Sequence, residues 1–147
     1  MQLAETKVIK NLFLYIVLFT IFIGIVGTVQ TYFYKNINNI SSSLYANSEI
    51  TKLNLYFLKV TKTDGVVVKK YGLVDENDLS SYYITFENED KTTNTFIKLG
   101  NMLYFNKIKL CENVEEFVIN VDNSINQSIS VSIKILGETY DLQYAIN

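Results

Sequence analysis

Two hydrophobic rhythms run along the chain, and the change between them falls near Thr63. From Leu12 to Val29, LFLYIVLFTIFIGIVGTV continues for eighteen residues without a charge. A helix crossing the hydrocarbon core needs ~20 such residues, with a lower limit of ~17. A secretory leader has a shorter apolar region, ~7–15 residues, followed by a small-x-small cleavage site. QTYFYKN follows Val29 and offers no such site, so the run reads as an anchor. No Pro or Gly then interrupts the chain before Gly65. Phe33, Ile37, Ile40 and Leu44, and then Ile50, Leu53, Phe57 and Val60, recur in alternating steps of three and four, which is one face of an α-helix. The pattern predicts a helix from about Val8 to about Thr61. A bend or frayed turn is expected near Ser41–Ser43, where SSSLYANS is a poor helix former. Thr63-Asp64-Gly65 stops it.

From Val66 the period becomes two. In SISVSIKI, Ile129, Val131, Ile133 and Ile135 point one way and Ser128, Ser130, Ser132 and Lys134 the other. TYDLQYAI answers with Tyr140, Leu142, Tyr144 and Ile146 against Thr139, Asp141, Gln143 and Ala145. Leu136-Gly137-Glu138 reads as the tight turn of an antiparallel hairpin. Further strands are expected at Ser81–Glu87, Thr93–Leu99, Met102–Leu110 and Glu115–Asp122, with Gly100-Asn101 as a hairpin connection. Val66–Tyr71 reads as an edge strand whose Lys69-Lys70 pair discourages pairing with another chain. NEDKTTN and DNSINQ read as polar loops.

One apolar sheet face must be covered, and the remaining regular element is the striped half of the helix. The fold class is therefore α+β: a long N-terminal helix, half transmembrane and half amphipathic, packed on a C-terminal antiparallel sheet. Four segments follow: a basic flank at 1–11, the transmembrane helix at 12–29, its amphipathic continuation at 30–62 and the sheet domain at 63–147. Without the sheet, the same helix describes an anchor carrying a short coiled-coil stalk. Lys7 and Lys10 precede the apolar run against Glu5, whereas only Lys35 follows it closely. That excess points to a cytoplasmic N-terminus and an extracellular sheet domain.

Composition narrows the chemistry. The chain has no His, so the imidazole behind most general-base, triad and transition-metal sites is missing. All 13 basic residues are Lys, the net charge is −2, and no Arg offers a bidentate fork. Nucleic acid is therefore an unfavoured partner. Cys111 stands alone beside Leu110 and reads as a small core residue rather than a nucleophile. Asp75, Glu76 and Asp78 put three carboxylates in four residues and are weak candidates for a metal site. A solvated acidic loop is the commoner cause of such a run. No catalytic residue and no cofactor is expected.

The layout resembles the type IV pilin family, and within it the minor pilins of Gram-positive competence systems and the minor pseudopilins of type II secretion. It rests on the basic leader, the apolar helix start, and IKLCENVEEFVINV followed by SISVSIKILGETYDLQYAI. In that family a Gly precedes the cleavage point, an aromatic residue follows it, and a Glu lies four residues further on. Here Asn11, Leu12 and Ile16 occupy those positions, so a processing site between Asn11 and Leu12 is degenerate and Ile16 offers apolar packing in place of a charge. The resemblance implies a non-enzymatic subunit of a pilus, competence or secretion filament, placed at or near the tip or in assembly initiation. Its partners would be other pilins, the assembly platform and the membrane. Leu12, Phe13, Ile16, Phe19, Ile23 and Gly27 would carry the helix packing. The alternative is a single-pass, membrane-anchored extracellular binding or sensor module outside any filament, using the sheet surface or the Asp75–Asp78 loop.

Overall fold

The computed structural model describes residues 2–122 and 127–146, with side chains described from Ile9 onward. It is an α+β protein. Helix α1 covers Gln2–Thr61, and eight strands follow, β1 (Val67–Leu73), β2 (Tyr82–Glu87), β3 (Thr93–Leu99), β4 (Met102–Phe105), β5 (Ile108–Glu112), β6 (Val114–Asp122), β7 (Ser128–Ile135) and β8 (Glu138–Ala145). The chain divides into two compact units, residues 1–41 and Ser42–Asn147.

The helix starts earlier than the periodicity suggests and passes through Ser41–Ser43 without a break. Serine lowers helix propensity by only a few tenths of a kcal/mol per residue, too little to interrupt sixty residues of continuous hydrogen bonding. It ends where expected. Thr61 Oγ1 donates to the Phe57 carbonyl at 3.0 Å, and Gly65 then turns with φ 68°. A Cβ on Gly65 would meet only the flexible, exposed Glu89 side chain, so it is the dihedral that favours glycine here.

In the second unit the strands form two antiparallel sheets rather than the single one expected. One has five strands in the order β1-β2-β3-β4-β5, the other three in the order β6-β7-β8. The segment Met102–Leu110, read as one strand, is a hairpin. Asn106 and Lys107 take φ of 47° and 72° and reverse the chain between β4 and β5, the positive-φ pair that a two-residue turn requires. Asn113, at φ 56°, then separates β5 from β6. The sheets meet where Ser81 bridges Phe117 in parallel and the Phe117 amide donates to the Ser80 carbonyl at 2.8 Å. Strand β1 is the edge foreseen, with the Lys69 ammonium paired to Glu87 on β2. Of the loop read at DNSINQ, residues 123–126 lie outside the described residues.

The core of this unit gathers on the last turns of α1. Ala46, Leu53, Phe57 and Val60 are buried, as are Ile84, Phe86, Phe96 and Leu103 from the larger sheet. Ile129, Val131, Ile133 and Ile135 face inward from β7, as their alternation requires. Phe57 is the pivot: its ring stacks on Phe96 at 4.1 Å and on Tyr144 at 4.9 Å and meets Phe86 edge-on at 6.1 Å. One helical side chain thus joins both sheets. The earlier half of the predicted stripe does not take part. Phe33, Ile37, Ile40 and Leu44 are all exposed, because a helical period reports an apolar face and not what covers it.

Candidate functional site

The residues with a role to explain lie in four places. The first is the apolar stretch of α1, which is long and apolar enough to cross a membrane and has no residue buried. Leu12, Phe13, Ile16, Phe19 and Ile23 are each more than half exposed. Phe19, Ile23 and Gly27 line one shallow groove with Val26 and Gln30. Thr20, Thr28 and Thr31 return their hydroxyls to the carbonyls of Ile16, Gly24 and Gly27 at 2.8–2.9 Å. Their polarity is consumed within the helix, as lipid requires. Asn11 and Leu12 sit inside continuous α-helix. Lys10 is exposed beside them, and the side chain of Lys7 lies outside the described residues.

The second place is the acidic loop between β1 and β2. Asp75 Oδ1 accepts from the Asn77 amide and side chain at 2.9 and 3.2 Å. Asp78 Oδ1 accepts from the Ser80 amide at 3.0 Å and its hydroxyl at 2.6 Å, and Oδ2 accepts from the Ser81 hydroxyl. These bonds hold the Asp78 carboxyl down at about 2, the Ser80 and Ser81 hydroxyls first among them. Both carboxylates are thus turned onto their own loop, while Glu76 is exposed. Among the described residues, no group of three or more His, Cys, Asp or Glu side chains is placed to hold a metal ion.

Lys98, which composition does not single out, belongs to this cluster. It is 4% exposed, and its ammonium donates to Ser81 Oγ at 3.0 Å and Ser80 Oγ at 3.5 Å. The alternation of β3 contained the signal, since Lys98 is two residues from buried Phe96 and must share its face. A lysine beside a serine invites comparison with a nucleophile and its base. Here, however, both serine hydroxyls give their protons to Asp78, so the cluster is an ion pair relayed through hydroxyls. It lies where the two sheets touch.

The third place surrounds Cys111, which is fully buried. Its thiol donates to the Glu49 carbonyl at 3.4 Å. Burial, reinforced by the Glu49 charge, pushes it up to about 12. It is a core thiol and not a thiolate. Glu49, itself buried, pairs with Lys52 and accepts the Glu112 amide at 3.0 Å, tying α1 to β5. The sequence gives little warning of Glu49, a carboxylate on the buried side of a helix.

The fourth is the three-stranded sheet, where Asn120, Ser128, Ser130 and Gln143 line a shallow polar cleft. Ser132 Oγ donates to Asp141 Oδ1 at 2.6 Å. Comparison with protein-family models, curated proteins and solved structures finds no match for this chain.

Proposed function

We propose that this chain is a minor-pilin-like structural subunit, anchored by the apolar part of α1 and able to enter a type IV pilus, competence pilus or secretion filament. The observation that carries the reading is one helix with two jobs. Its first part is apolar and unburied, while Leu53, Phe57 and Val60 on the same helix build the core of an antiparallel β-domain. In this reading the N-terminus is cytoplasmic and the β-domain extracellular, as the Lys7 and Lys10 flank favours. Leu12, Phe13, Ile16, Phe19, Ile23 and Gly27 pack against neighbouring pilin helices in the membrane, before an assembly platform draws the subunit into the filament. Ile16 supplies dispersion and shape where a glutamate would supply a charge. Such a subunit suits a tip or initiation position better than a repeated place along a shaft.

A second reading, an anchored extracellular module, is favoured by the polar cleft of Asn120, Ser130 and Gln143. Both readings meet in one experiment. Intact mass and N-terminal sequencing of the membrane-extracted protein, with and without a prepilin peptidase, report cleavage after Asn11. Purification from cells making a pilin set reports partners. Cleavage together with recovery of other pilins is the expected result. An uncleaved chain that never co-purifies with them sinks the filament reading and leaves the anchored module.

A further inference from the structure

Each sheet of the second unit ends in two edge strands, and three of these edges are blunted. Strand β1 carries Lys69 and Lys70 and a register shift between Val68 and Lys70. Strand β5 is five residues long, and the Glu49 carboxylate of α1 takes its Glu112 amide at 3.0 Å. Strand β6 opens with a register shift between Val114 and Glu116, and its Phe117 amide donates to the Ser80 carbonyl at 2.8 Å. Strand β8 has none of these devices. It runs eight residues without Lys or Pro, and its pairing with β7 continues from Glu138 to Ala145 without a shift.

The register fixes which backbone groups of β8 are free. The Ile146 amide donates to the Gln127 carbonyl at 3.0 Å, so even-numbered residues turn their peptide groups to β7 and odd-numbered ones turn theirs away. Thr139, Asp141, Gln143 and Ala145 therefore present a row of donors and acceptors on the open side, and all four residues are exposed. None of their amides meets an acceptor among the described residues.

We propose that β8 is an acceptor edge, extended by a basic strand of another protein that adds to the three-stranded sheet. Main-chain bonds supply the affinity and side chains select the partner. Glu138 and Asp141 are the charged residues of β8, both exposed and neither ion-paired among the described residues. Asp141 shares a face with Ser132, whose hydroxyl it accepts, and Glu138 lies on the other face, where the Ser43 hydroxyl donates to it at 3.2 Å. An added strand with Lys or Arg opposite either carboxylate gains a cross-strand pair, and one with Asp or Glu there is repelled. A second copy fits this edge worse. Its β1, β5 and β6 edges are blunted, and two β8 strands together gather four carboxylates with no cation on either. Strand β8 also runs in the direction of α1, since Glu138 meets Ser43 and Tyr144 meets Asn54. An antiparallel pair of β8 strands thus sets two helices in opposite directions, which copies anchored in one membrane cannot adopt. The inference rests on the second unit and holds under either reading of the function.

Amide hydrogen exchange of the full chain in detergent micelles, resolved residue by residue by NMR, tests it. The probe is a peptide of about ten residues, the length of a long strand, alternating lysine and valine. Its counterpart carries glutamate in place of lysine. The lysine peptide is expected to slow exchange at Thr139, Asp141, Gln143 and Ala145 by at least about tenfold. Tyr140, Leu142 and Tyr144, already bonded to β7, are expected to stay unchanged. Slowing at none of the four amides, or slowing spread evenly over odd and even positions, overturns the acceptor edge. Equal slowing by the glutamate peptide overturns the basic partner. Slow exchange at the four amides without any peptide, deepening as protein concentration rises, overturns the proposal in favour of a second copy. Asp141→Lys, a change at an exposed position, is expected to weaken the effect of the lysine peptide at least about threefold and to admit the glutamate peptide. An unchanged preference in that variant overturns Asp141 as the selecting charge.

Discussion

Cys111 and Phe57 show how single side chains are committed by what surrounds them. Raising the Cys111 thiol from its ordinary 9.0 to about 12 means that folding favours the protonated form. The resulting stability is complete below pH 9 and is lost as pH rises toward 12. Tyr144, raised by burial, has the same sign. Stability measured by denaturant titration should therefore fall through that alkaline range. Cys111→Ala should flatten part of the decline; an identical slope in the variant would count against a buried thiol. Phe57 faces a different test, since its ring contacts three aromatic neighbours. Phe57→Ala is expected to cost about 3–5 kcal/mol, from the lost transfer energy and the cavity left between the sheets. A loss below about 1 kcal/mol would show that the two sheets close without the helix.

At the scale of elements, the strands were more legible than their partnership. Alternation placed β3 and β7 at their observed bounds and turned Ile129, Val131, Ile133 and Ile135 inward. It missed the β4–β5 turn because Asn106-Lys107 lacks the glycine that usually announces two positive-φ residues. It also missed the division into two sheets, which rests on Asn113 and on the junction at Ser80 and Ser81. Periodicity within a strand carries no record of either. Among candidate sites, Cys111 in the core was readable from its neighbours. Lys98 and Glu49 were not, because a buried charge is intelligible only once its partners are known. The β7–β8 turn offers a prediction. Leu136 holds a φ of 51° and is partly exposed, and a left-handed conformation costs an L-residue roughly 1–2 kcal/mol. Leu136→Asn should raise stability by about 1 kcal/mol, read as a higher denaturant midpoint. No shift would mean that Leu136 packs better than its exposure suggests.

For the whole molecule, the location of the core predicts what can be separated. Among side chains described, the buried ones begin at Ala46, inside the second compact unit. Residues 42–147 should therefore fold alone, with a cooperative thermal transition and a circular dichroism signal dominated by strand. Residues 1–41 should account for membrane association of the full chain, read as recovery in the membrane fraction that the shorter chain lacks. A broad, non-cooperative transition for residues 42–147 would show that α1 must be longer to hold the sheets.

The ring stack of Phe57 on Tyr144 also sets a schedule. Phe57 leaves the ribosome 87 residues before Tyr144, so it cannot be enclosed until β8 has been made. Loop closure over such a separation is slow compared with forming the helix or either hairpin. During synthesis the helix therefore carries an uncovered aromatic surface, and the chain is most exposed to chaperones and proteases just before its final strand arrives.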